Sequence, residues 1–297
     1  MKRPTFISIG ILVLLLNTFN ASAAVLYGTA KPGDHQAGHI FKIDTIAHKI
    51  EILVDISTTP VIPSGAPEIV LGRGDSPNAN AFDAKNNRFF FASFEDPGTP
   101  ADSSVSSSEL YFVVLDDPNV IVWAGSLNWH ASDATFYKGK YWYIGHGTNI
   151  LREVSLKRDG TINNDDEVTV IWLSDPNSGE LYSPLWSFGD IAFNSKGLLY
   201  LTGSISNELD QPERSLSGTV EIETGQFTEI GISVYWGQIA FGPDRTLYGH
   251  DSDTGDFFTI NIADGATTYI FTYDMFTDLA APTSDRGFLR GAFKPGR

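Results

Sequence analysis

The sequence predicts an all-β protein built as a five-bladed β-propeller, and three observations carry that prediction. The stretch Phe188-Gly-Asp-Ile-Ala-Phe-Asn-Ser-Lys-Gly-Leu-Leu-Tyr200 returns 48 residues later as Trp236-Gly-Gln-Ile-Ala-Phe-Gly-Pro-Asp-Arg-Thr-Leu-Tyr248. A period of about 40–50 residues made of short strands is the mark of a propeller blade. Turn chemistry sits inside each copy, at Asn194-Ser-Lys-Gly197 and Gly242-Pro-Asp-Arg245, between runs that alternate apolar and polar residues. No helical periodicity long enough for an amphipathic helix interrupts them.

Each blade needs four strands. The N-terminal blade shows three, Val25–Thr29, His39–Asp44 and Lys49–Val54, and lacks its first. Residues 57–79, rich in Pro, Gly and Ser, leave room for part of a sixth blade. The second blade runs through Asn80-Ala-Phe82, Arg88–Phe94, Glu109–Leu115 and Val120–Gly125, with the polar, low-complexity Asp102–Ser108 as a loop. The third takes Ser132–Phe136, Lys140–Gly145, Asn149–Leu156 and Val168–Leu173. The fourth and fifth follow the repeat itself. They are completed by Gly218–Glu223 with Phe227–Ile230, and by Asp256–Ile262 with Thr267–Thr272, around the tight-turn signals Glu223-Thr-Gly225 and Ala263-Asp-Gly265. Thr277–Ala280 resembles a repeat opening, so the C-terminal strand is expected to supply the missing inner strand of the first blade. Closure of that kind leaves no large unpaired edge.

Lys2 and Arg3, the apolar run Phe6–Leu16 and Ala21-Ser-Ala23 read as a secretory signal peptide cut after Ala23. The apolar run is short of the roughly 20 residues that span a bilayer. The expected product is a single propeller domain, residues 24–297, periplasmic or secreted from a bacterium and monomeric. No membrane insertion is expected after cleavage. The chain has no cysteine, which excludes disulfides, thiolate metal sites and cysteine nucleophiles. Without Lys2 and Arg3, 18 basic residues stand against 36 acidic ones. Such a surface repels phosphate backbones and anionic lipid, so nucleic acid is excluded as a partner. A small molecule, a glycan or a protein ligand remains.

The repeated phrase, hydrophobic-Ala-Phe, turn, Leu-Tyr, resembles that of bacterial exported WD40-like propeller repeat proteins, loosely similar to the NHL and SMP-30/gluconolactonase-like group. The resemblance covers nearly the whole mature chain. It implies the propeller fold and transfers no activity, because propellers host unrelated chemistries. In the SMP-30-like lactonases a divalent ion held at one end of the channel polarises an ester carbonyl; their ligand pattern finds no residue-by-residue match here.

Because strands alternate in direction, the starts of the first strands and the ends of the second strands share one end of the channel. That end gathers Asn80, Asp133, Asp190, Gln238 and Asp278 with Thr29, Ser93, His146, Thr202 and His250. Trp129, Trp186, Trp236 and Phe276 precede several of the starts. Converging polar groups rimmed by aromatic rings suit a ligand pocket. The expected ligand-binding set is therefore Asp133, His146, Asp190, Gln238, His250, Asp278, Trp186 and Trp236. The competing role for the Asp, Asn and Gln members is blade-to-blade hydrogen bonding. If a metal binds, Asp133, Asp190 and Asp278 favour Ca²⁺ or Mg²⁺, whereas joint ligation by His146 and His250 favours a transition metal.

The function expected is an exported ligand-binding or interaction propeller using that end. The alternative is a divalent-metal-dependent, lactonase-like hydrolase on the same face. A second alternative is adhesion through Arg73-Gly74-Asp75, which lies in a Pro/Gly-rich segment between blades. Asp159–Asp166 matches only the second half of a calcium loop and reads as a turn with a solvated acidic run. Asp251, Asp253 and Asp256 form another acidic loop after His250. No nucleophile elbow, zincin helix or phosphate loop is present.

Overall fold

The computed structural model describes residues 24–30, 38–69, 71, 77–94, 107–146, 148–172, 186–206, 212–231, 237–273 and 276–282. Among them every regular element is a strand. The leader Met1–Ala23 and the loop Arg73-Gly74-Asp75 lie outside the described residues. Blade 1 takes β1 (Val25–Ala30), β2 (His39–Asp44) and β3 (Lys49–Asp55). After β4 (Val61–Ile62), blade 2 takes β5 (Asn78–Asp83), β6 (Arg88–Phe94), β7 (Ser108–Val114) and β8 (Ile121–Ser126). Blade 3 takes β9 (Ala131–Tyr137), β10 (Lys140–Gly145), β11 (Ile150–Leu156) and β12 (Ile162–Val170). Blade 4 takes β13 (Trp186–Phe193), β14 (Leu199–Ser206), β15 (Pro212–Val220) and β16 (Phe227–Gly231). Blade 5 takes β17 (Gly237–Phe241), β18 (Leu247–Asp251), β19 (Asp256–Ile260) and β20 (Thr267–Thr272). The last strand, β21 (Phe276–Ala280), pairs antiparallel with β1 and becomes the innermost strand of blade 1, closing a ring of five sheets.

The repeated phrase has a packing meaning. On each inner strand a small residue lies in register beside an aromatic residue of the second strand: Ala280 by Tyr27, Ala81 by Phe90, Thr135 by Trp142, Ala192 by Tyr200 and Ala240 by Tyr248. The phenylalanine that follows that small residue in the next blade packs on the aromatic ring. Tyr27 stacks on Phe82 at 4.9 Å and Phe90 on Phe136 at 5.8 Å. Trp142 meets Phe193 edge-on at 5.3 Å, and Tyr200 meets Phe241 at 5.1 Å. A small residue suits this position because a long side chain would fill the space that the neighbour's ring enters. The closing interface departs from the pattern. Ala281 stands where the phenylalanine would be, in the same core cluster as Tyr248, and the Tyr248 hydroxyl donates to Asp244 at 2.9 Å. The hydrophobic core is thus divided into five clusters, one for each junction between blades.

A second device repeats on the outer strands. Leu53, Ala124, Val168, Ile230 and Ile270 are each the extra residue of a bulge at the same register position. A bulge twists an edge strand and spoils it as a template for another chain.

Two segments differ from the sequence expectation. The described residues within 57–79 form no sixth blade: Val61 and Ile62 pair in parallel with Ile121 and Val122 and add a fifth strand to the outside of blade 2. The outer strand expected at Val168–Leu173 lies at Ile162–Val170, so most of the acidic run is strand. Charged residues are depleted in strands in general, but an outer edge accepts them because one side faces water.

Replacing Phe193, which is fully buried against Trp142 and Tyr137, by Ala should cost about 3–5 kcal/mol, measured by urea unfolding. A loss below 1 kcal/mol would contradict the ring-on-ring account of the repeat.

Candidate functional site

The two ends of the propeller are unequal. At the end where the inner strands finish, the turns between successive strands never exceed six residues. At the end where they start, the chain runs 15 residues between β12 and β13 and 13 between β6 and β7. Long connections held on a rigid frame are where binding sites concentrate. The polar residues of the inner strands lie at this same end.

Strand register shows which of them are equivalent. Asp278 pairs with Thr29, Asp190 with Thr202, Gln238 with His250, and Asp133 with Ile144. Blade 2 has Ala79 at this level, inside a bulge and at φ 54°, so Asn80 sits one residue further along. The counterpart of His250 in blade 3 is therefore Ile144, and His146 lies beyond the end of β10.

Asp190 and Asp278 do the same work on two blades. Asp190 Oδ1 accepts from the backbone N–H of Ile191 at 2.6 Å, and its Oδ2 from that of Ile239 in blade 5 at 2.8 Å. Asp278 Oδ1 accepts from Leu279 N at 2.6 Å and its Oδ2 from Asn80 N of blade 2. The threonine beside each adds a second tie. Thr202 Oγ1 accepts from Asp190 N at 3.0 Å and donates to Gly237 O at 2.7 Å. Thr29 Oγ1 donates to Pro77 O at 3.0 Å and accepts from Asn80 Nδ2 at 2.9 Å. Each Asp–Thr pair therefore latches its blade to the next. Blade 2 is tied to blade 3 differently, by the Tyr141 hydroxyl donating to Ala79 O at 2.7 Å. Burial pushes the carboxyls of Asp190 and Asp278 well above the usual carboxylate range and the Tyr141 phenol well above its own.

The remaining expected residues divide. His250 is fully buried, with its ring 4.6 Å from Phe257 and 5.3 Å from Phe276, and Gln238 is buried beside it in register. Asp133 and His146 are half-buried at blade 3. Asp133 Oδ2 accepts from Ser132 Oγ at 2.9 Å. The His146 ring stacks on that of His130 at 4.8 Å, and the His146 backbone N–H donates to the His130 backbone carbonyl at 2.7 Å. Trp186 opens β13, and Trp236 lies outside the described residues. Sequence reasoning missed His130. The signal was its place before β9, whose first residue pairs with Gly145 at the end of β10.

It also missed Asp165. Expected in a solvated run, its side chain is 4% exposed. It accepts from Arg152 Nε at 3.0 Å, from the Tyr143 hydroxyl at 2.7 Å and from Asn128 N at 2.7 Å. Asn128 belongs to the linker carrying Trp129 and His130, so this cluster fixes that linker on blade 3. Asp251 likewise caps its own turn, accepting from the N–H groups of Asp253 and Thr254.

The set fits a metal poorly. Each oxygen of Asp190 and Asp278 already accepts a backbone N–H, and among the described residues no three His, Asp or Glu side chains are gathered so as to hold an ion. A cavity between the inner strands is lined mostly by apolar side chains such as Ala81, Ala192, Ala240, Phe136 and Phe241, with Asn80 and Thr135 its polar members and no carboxylate or imidazole.

No family model matches the chain, and no curated protein matches it. Among solved structures, it is similar to a candidate 6-phosphogluconolactonase from Bacteroides fragilis, with TM-score 0.44 and 10% identity over 88% of this chain and 98% of that one. A chain of a nidogen/laminin complex aligns with TM-score 0.46 and 8% identity, over 87% and 98%. A second candidate 6-phosphogluconolactonase, from Bacteroides uniformis, aligns with TM-score 0.44 and 9% identity, over 86% and 98%. Likeness at this level transfers no activity.

Thr202→Val should cost about 1–3 kcal/mol, because the buried Asp190 N–H and Gly237 C=O each lose a partner. Thr202→Ser, which keeps the hydroxyl, should recover most of it. Equal loss in both variants, measured by urea unfolding, would assign the effect to packing.

Proposed function

We propose that the chain is an exported, monomeric binding module that takes its ligand at the polar end of the propeller, on the blade 3 side. The observation that carries this reading is the inequality of the two ends: the long connections and the half-buried polar side chains share one end, whereas at the other successive strands are joined by turns of six residues or fewer. Within that end the labour is divided. Asp190 and Asp278 belong to the frame, with every carboxyl oxygen engaged by backbone, and His250 and Gln238 are enclosed with them. Asp133, His146 and the half-buried Trp129 retain access to solvent and are the recognition groups. An acidic group, an imidazole and an indole suit a neutral or cationic ligand with hydroxyl or amine donors, such as a glycan or a peptide amine. The overall charge of −16 disfavours anionic ligands. Hydrolase chemistry on the same face, the alternative reading, would draw on Asp133 and His146, because Asp190 and Asp278 are engaged by backbone.

Thermal-shift screening of residues 24–297 against neutral oligosaccharides and peptide amines tests this, since a ligand that binds only the folded state raises its melting temperature. A stabilising compound should lose its effect in Asp133→Ala and in His146→Ala, while both variants keep the unliganded melting temperature within a few degrees. A compound whose effect survives both substitutions would place the site elsewhere.

A further inference from the structure

Two buried acids lie on the inner ring of the propeller, and among the described residues no Lys or Arg forms an ion pair with either. Asp190 is 0% and Asp278 1% exposed. They belong to β13 and β21, which are separated in the ring by β17, so they face each other across the axis. Their carboxyl groups are hydrogen-bonding partners. Neither can swing away, because four backbone N–H groups, from Ile191, Ile239, Leu279 and Asn80, hold the four oxygens.

Three further titratable groups sit on the packed elements. Asp133 on β9 adds a third acid that acts on both. Tyr141 on β10 is a buried phenol kept neutral by the same surroundings. His250 on β18 is enclosed by Phe257 and Phe276. Thr29, Thr202 and Asn80 are uncharged. Two carboxyls fixed in contact in a dry place cannot both ionise; one proton between them turns repulsion into a hydrogen bond.

We infer that Asp190 and Asp278 share one proton and that this proton locks the ring. Its removal puts two negative charges on the axis and loosens the blade 4–5 and blade 1–2 latches together. The sign of the pH dependence follows. Both groups are raised by burial, so the folded state keeps a proton that the unfolded chain gives up near pH 3.9. The stability conferred is complete below that pH and is lost as the pH rises toward the folded value.

The test compares the wild type with Asp190→Asn, whose amide offers Asp278 a donor at every pH but gives up one acceptor for the backbone. The melting temperature of the variant should lie below the wild type near pH 5, and the gap should narrow or reverse by about pH 9. On urea unfolding at about pH 7 the wild type should release about one proton more than the variant. Parallel melting curves, or equal proton release, would overturn the shared proton. If the variant fails to fold, ¹³C-carboxyl NMR of Asp-labelled wild type decides. One carboxyl should still be protonated at about pH 7, and titration of every Asp below about pH 5 would overturn the inference.

Discussion

The ring depends on one interaction: a carboxylate at the start of an inner strand that accepts a backbone N–H from its own strand and another from the next blade. A propeller has few covalent connections near its axis, and the inner strands present polar backbone toward one another there. Each such group needs a partner, since burying it unpaired costs free energy comparable to a lost hydrogen bond. Asp190 supplies both acceptors at the junction of blades 4 and 5, and Asp278 at the junction of blades 1 and 2. Thr202 and Thr29 complete each latch with a hydroxyl. The second latch matters most for closure, because Asp278 lies on the C-terminal strand that joins the N-terminal blade.

The aromatic ladder further out has the complementary task. A small inner-strand residue (alanine at three, Thr135 at the fourth), a second-strand aromatic and the next blade's phenylalanine repeat at four junctions with ring separations from 4.9 to 5.8 Å. Apolar packing is weakly directional, so it sets the spacing of the blades, and the axial hydrogen bonds set their register. The fifth junction lacks the phenylalanine and keeps Ala281 and Tyr248 instead. It is the place where the repeat is least regular and where the two ends of the chain meet.

Much of this was legible from residues alone, for identifiable reasons. The repeat around Asp190 and Gln238, the turn residues between paired runs and the partial blade at Val25 were enough to give five blades and the closing strand. What escaped shares one cause: long-range pairing carries no local signal. Asp165 looked solvated because its neighbours Asn164, Asp166 and Glu167 are exposed, and its partner Arg152 is a strand away. His146 looked equivalent to His250 because both stand at the end of a second strand, but pairing matches Trp142 to Tyr248 and therefore Ile144 to His250. Residues 57–79 left room for a sixth blade because two residues, Val61 and Ile62, are too few to announce an added strand. The Asp, Thr and Asn residues at the axis were found by position, but only hydrogen-bond partners separate those that hold the frame from Asp133 and His146, which remain at the surface of blade 3.

The most direct test of the axial latch is amide hydrogen exchange, resolved by residue. Backbone amides of Ile239 and Asn80 donate to carboxylates and not to a neighbouring strand. If these bonds hold the ring, both amides should exchange only with global unfolding, as slowly as the central strand amides of Leu201 and Phe90. Fast exchange of Ile239 and Asn80, at rates typical of loops while the strand interiors stay protected, would show that the blades are held by the aromatic ladder alone.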